Sequence, residues 1–117
     1  MLINGKQRDF LFSIGAYSKI SRICPDNNIL RLSEVLSDGN ADLIPNFMKI
    51  AVILNEQSER AKKFNGESYN EPLTIEELEM MTFTEFPKLT AEIMSALAKG
   101  QRTEVETESS KKNTMIP

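Results

Sequence analysis

The spacing of apolar positions changes several times along the chain, and each change marks a predicted element. Near the start, Phe10 and Phe12 alternate with Leu11, the period-2 pattern of a half-buried strand running from about Lys6 to Phe12. Ahead of it stands Asn4-Gly5, a strong hairpin signal, because both central positions of a type I′ turn need positive φ and these residue types tolerate it best. Met1 to Ile3 supplies a very short first strand, and so small a ribbon must dock on helices or pair with an edge from another copy. From Ser13, a candidate N-cap, the period lengthens. Ala16, Ile20 and Ile23, with Tyr17 beside them, predict a helix up to Cys24, and Pro25 ends it by pushing its predecessor out of the helical region. Asn28 is then placed to cap a short helix carrying Ile29, Leu32, Val35 and Leu36 inward, closed by the turn Ser37-Asp38-Gly39-Asn40.

The strongest helical signal runs from Asp42, read as its N-cap, to about Phe64, with Pro45 in the first turn where a missing donor does no harm. Its first half is apolar nearly all round, with only Asn46 and Lys49 on a polar stripe. Such a segment is either a central core helix or one that a second chain covers, and the two roles are compatible. Leu43, Phe47, Ile50, Ile53 and Leu54 are the candidate partner-binding residues on that face. The second half, Asn55 to Lys63, is polar and is expected to leave the body of the protein, followed by a loop from Asn65 to Pro72.

Thr74-Ile75-Glu76-Glu77 has the spacing of a capping box, and Thr82-Phe83-Thr84-Glu85 repeats it. The first opens a short helix through Leu78 and Met81. The second opens a longer one with Phe86, Leu89, Ile93, Met94 and Leu97 on one side, and Gly100 is placed as its left-handed C-terminal residue. From Gln101 the chain becomes polar and lacks the apolar surface that would offset the entropy of ordering. The predicted architecture is therefore mainly α, a small helical domain over residues 1–100 with a short N-terminal β-hairpin, followed by a flexible polar tail over residues 101–117.

Composition narrows the function. The absence of Trp, with two Tyr and six Phe, leaves Leu, Ile and Met to fill the interior, which suits packed helices. A formal net charge of −3 supplies no positive field to collect phosphates or an anionic membrane surface, and Lys62-Lys63 and Lys111-Lys112 are too small for a nucleic-acid footprint. The chain has no His, the residue most used for acid–base work near neutral pH and the commonest metal ligand. Neither a catalytic site, nor a cofactor, nor a metal is assigned. Glu76, Glu77 and Glu79 sit in the first turns of a predicted helix, where negative charge complements the dipole. Cys24, the single cysteine, is read as a small apolar residue at a helix end in a reducing compartment. Neither an export signal nor an apolar run of the ~18 residues needed to span a membrane is seen, so a cytoplasmic protein is expected.

The ordered run of Leu2-Ile3-Asn4-Gly5-Lys6, Phe10-Leu11-Phe12-Ser13-Ile14-Gly15-Ala16, Ile23-Cys24-Pro25, the segment from Ile50 to Glu56, and the segment from Pro72 to Leu78 resembles small tail assembly chaperones encoded by phages and prophages of Gram-positive bacteria. The similarity spans roughly residues 1–105 and lies in order and spacing, since none of these stretches is a catalytic signature. The resemblance implies a helical, non-enzymatic protein of the host cytoplasm that binds the tape measure protein, keeps its apolar helices soluble, promotes tail tube assembly and is absent from the mature virion. It also implies a longer product made by ribosomal frameshifting, whose added part recruits the tail tube protein. Lys111-Lys112-Asn113 is compatible with an adenine-rich slippery run at that place, and equally with a solvated tail. Self-association into a homo-oligomer is the expected protection of an apolar face awaiting its client. The rival expectation is a small structural tail or connector component retained in the virion.

Overall fold

The computed structural model describes the backbone of residues 1–109 and the side chains of residues 1–100. The fold is mainly helical with an N-terminal two-stranded antiparallel hairpin, as the periodicity predicts. Strands β1 (Leu2–Ile3) and β2 (Lys6–Gln7) pair in the register Leu2 to Gln7 and Ile3 to Lys6. Both Asn4 and Gly5 have positive φ, +53° and +80°, the conformation a type I′ turn demands. The second strand is shorter than the expected Lys6 to Phe12. The last backbone bonds of the ribbon are those between Met1 and Arg8, the Arg8 amide donating to the Met1 carbonyl at 2.8 Å and the Met1 amino group to the Arg8 carbonyl at 2.9 Å, and the Arg8 side chain turns into the core. Phe10 and Phe12 still face inward and Leu11 outward, but on irregular backbone tied to the rest by a Leu11 amide donating to the Leu54 carbonyl at 3.0 Å.

Helix α1 (Ile14–Ser21) begins where Ser13 Oγ accepts from the Ala16 amide at 3.2 Å, and it buries Ala16 and Ile20. It ends one turn short of Cys24. A 3-10 turn at Pro25–Asn27 and another at Ile29–Arg31, capped by Asn28 Oδ1 on the Leu30 amide, lead into α2 (Leu32–Val35), which buries Val35. Helix α3 (Leu43–Phe64) is the central element, packed by α1 on one side and by two later helices, α4 (Ile75–Glu79) and α5 (Phe86–Ser109). The expected Asp42 cap is absent. Asp42 stands at the N-cap position with φ −99° and ψ 21°, outside the extended region from which a cap side chain reaches the first amides. Its side chain makes no capping bond, while Asn40 Oδ1 accepts from the Asp42 amide at 2.8 Å. At the other end Gly66, at φ +73°, closes α3 with the paired bonds of a Schellman motif, Glu67 amide to Lys62 carbonyl and Gly66 amide to Lys63 carbonyl.

Both capping boxes form. Thr74 Oγ1 accepts from the Glu77 amide while Glu77 Oε1 accepts from the Thr74 amide, and Thr82 and Glu85 exchange the same pair of bonds. The sequence expectation for Gly100 is overturned, since α5 passes through it and continues to Ser109. The segment 101–109, expected to be flexible, thus continues the helix, and the rest of the expected tail, 110–117, lies outside the described residues.

Gly100 is retained in a helix interior for lack of space. A Cβ there would come within 2.8 Å of Phe12 Cδ2 and 2.9 Å of its Cβ, so the glycine lets the Phe12 ring lie against α5. Gly100→Ala would raise intrinsic helix propensity by about 1 kcal/mol in an exposed helix. Here it is expected to lower stability by about 1–3 kcal/mol through overpacking, read as a fall in thermal midpoint where propensity alone predicts a rise.

Candidate functional site

An open, mainly apolar groove of about 510 Å³ lies where the N-terminal half of α3 meets α4 and the start of α5. Ile44 and Met48 form its floor from α3. Ile75 from α4, Met81 and Phe83 from the following turn, and Phe86 from α5 form the opposite wall. Lys49 and Glu79 place one charge of each sign among the lining residues. Of its apolar lining residues Phe83 is 86% and Ile44 43% exposed. Beneath the groove Phe47 packs edge-on against Phe86, with centroids 6.2 Å apart, which anchors α5 to α3.

The five residues predicted to bind a partner are not in this lining. Ile50 and Leu54 are fully buried, Phe47 is buried, and Leu43 and Ile53 pack half-buried against the core. All five belong to the interior or its edge, while Ile44 and Met48 of the same helix line the groove. On a segment apolar nearly all round, the spacing cannot tell which stripe meets α1 and α5 and which is left over, and the residues left over are Ile44 and Met48.

The polar second half of α3 does not leave the body of the protein as its composition predicts. Asn55, Ser58 and Glu59 are buried, and Asn55 and Glu59 meet polar groups brought in from elsewhere. Arg8, 1% exposed, reaches between α3 and α4 and donates to the Glu71 carbonyl at 2.6 Å through Nη1. The same nitrogen lies 3.5 Å from Asn55 Oδ1 and 3.8 Å from Glu59 Oε2, and Nη2 lies 3.4 Å from Glu77 Oε2. Glu59, 2% exposed, accepts from the Asn70 amide at 2.8 Å and from Asn55 Nδ2 at 3.3 Å. Asn55 completes the net by accepting from the Leu73 amide at 2.8 Å and donating to the Asp9 carbonyl at 3.0 Å. Burial pushes the Glu77 carboxyl up, but the bonds from Thr74 and the nearby Arg8 charge outweigh it and hold the group below its usual range. Asp9 is likewise lowered, chiefly by its hydrogen bond from Lys62 at 2.9 Å. The only sequence signal for this net was an Arg in an apolar strand pattern and an Asn four residues before a Glu on one face of α3.

A second hollow of about 870 Å³ lies between Phe10–Tyr17, the Ile29–Leu30 turn and the Ala96–Gly100 stretch of α5. Leu11, Ile14 and Leu30 are its exposed aliphatic residues, but Ser13, Tyr17 and Lys99 make its wall more polar than that of the first groove.

No family model, curated protein or solved structure matches the chain. The chemistry of the groove therefore stands on its own. Among the described residues no group of three or more Cys, Asp or Glu side chains is arranged to hold a metal ion, and no helix is long and apolar enough to cross a membrane. Cys24 is buried at the end of the turn after α1, and burial pushes its thiol up, away from the reactive thiolate.

Proposed function

We propose that the chain is a non-enzymatic phage tail assembly chaperone that seats an apolar-striped helix of the tape measure protein in the groove between α3, α4 and α5. The observation that carries the proposal is one concave, mainly apolar surface on which Ile44 and Phe83 are exposed and Met48, Ile75, Met81 and Phe86 half-buried, where a helix can lay its i, i+4 and i+7 residues. A groove of about 510 Å³ has room for a few large side chains at a time, which suits transient cover of successive stripes on a long client. Methionine adds tolerance, since its unbranched side chain adapts to different partners. The resemblance of the sequence to tail assembly chaperones supplies the identity of the client. It also supplies the host cytoplasm as the place of action, absence from the mature virion, self-association while no client is bound, and contact with the tail tube protein through a frameshifted product.

Ile44→Asp and Phe83→Asp test the surface without touching the core. Ile44 lies in the first turn of α3, where a carboxylate complements the helix dipole, and Phe83 is already in water. Each variant is expected to keep the native circular dichroism spectrum and thermal midpoint and to weaken binding of a tape measure fragment at least tenfold, about 1.4 kcal/mol. Unchanged binding in both variants would exclude the groove.

A further inference from the structure

A whole helix with its side chains is about 10–12 Å across, and one wall of the groove that would seat it is the short helix α4. Helix α4 has five residues, too few to be stable by itself. Leu73 and Leu78 anchor it below, and the Arg8 net holds its entry through Glu71, Leu73 and Glu77.

The geometry of that net is unbalanced. Arg8 faces two carboxylates, yet its distances to them, 3.8 Å to Glu59 and 3.4 Å to Glu77, are both long for a charge-assisted bond. Its close contact is with the Glu71 backbone, and its buried Nε has no hydrogen-bond partner among the described residues. A guanidinium that divides itself between two acids and leaves a donor unmade has an alternative, a bidentate pair with one of them, at the cost of its bond to the Glu71 carbonyl. Glu59 is the acid on the long central helix, and Glu77 the one on the short helix that forms the wall.

We propose that Arg8 is a positioning residue for the groove: shared between Glu59 and Glu77 it holds α4 in, and paired fully with Glu59 it releases α4 and widens the groove for a client helix. This rests on the docking role proposed above. Opening then carries a free-energy cost that lowers apparent affinity by the fraction of molecules already open.

Glu77→Gln separates the latch from the fold. Glutamine at this position still serves the capping box, while Arg8 loses its second acid and turns to Glu59. The full-length wild type and variant are compared by amide hydrogen exchange and by titration with a fluorescein-labelled 15-residue amphipathic peptide carrying Leu and Phe at i, i+4 and i+7. The amides of Leu78, Met80 and Met81 are expected to exchange about tenfold faster in the variant, with those of Ile50 to Leu54 unchanged and peptide Kd at least threefold lower. Faster exchange in α3 and α4 alike would make Glu77 merely structural and overturn the proposal, as would wild-type exchange at α4, or local loosening with no gain in affinity. If the wild type and Ile44→Asp alike fail to bind the peptide, the docking role fails, and the local exchange result still decides whether Arg8 holds α4.

Discussion

Arg8→Met is expected to destabilise the protein by about 3–5 kcal/mol, much of the ~5–15 kcal/mol available to a domain of this size. The reason lies less in the bonds Arg8 makes than in what it leaves behind. Glu59 is almost wholly buried, and without the guanidinium its charge keeps only the Asn70 amide and the Asn55 side chain. The Glu71 carbonyl loses its donor at the same time. Chemical denaturation of the single variants and of Arg8→Met/Glu59→Gln isolates the coupling. The double variant is expected to recover part of the loss, because a neutral amide in place of the buried carboxylate no longer needs a cation. A loss under about 1 kcal/mol in the single variant would mean that water reaches Glu59.

Phe47→Asp combined with Ile50→Asp is expected to abolish folding outright. Both side chains are buried in the core, Ile50 completely and Phe47 against Phe86 of α5, and a carboxylate placed there is cut off from solvent. Even the milder Ile50→Ala should cost about 2–5 kcal/mol through lost burial and the cavity left behind. The double variant should therefore be insoluble or lack helical circular dichroism, which makes it useless as a surface probe. Recovery of a folded, soluble protein would mean that this stripe of α3 is more accessible than the packing indicates.

The contrast between Ile50 and Ile44 marks where sequence reasoning stops. Local signals were legible because they depend on neighbours in the chain: the Asn4-Gly5 turn, the Ser13 and Asn28 caps, both Thr-x-x-Glu boxes and the limits of α3 all form as spaced. What depends on tertiary packing was not. Gly100 has the residue type of a helix terminus, and only the Phe12 ring explains why it sits inside α5. The stretch from Asn55 to Glu59 has the composition of a solvated face, and only the arrival of Arg8 and of the Asn70 and Leu73 amides makes it part of the interior. The groove falls between these cases. Its helix was visible in the excess of apolar residues from Leu43 to Leu54, but its face was set by elements remote in sequence.

The most direct test of the chaperone proposal is co-expression with the candidate tape measure protein from the same genome, with soluble complex measured by pull-down for the wild type and for Ile44→Asp/Phe83→Asp. The account predicts that the tape measure protein stays soluble only beside the wild-type chain, and that purified tails lack this chain. Failure to form any complex, with the chain instead co-purifying with intact tails, would contradict it and make the protein a structural component of the particle.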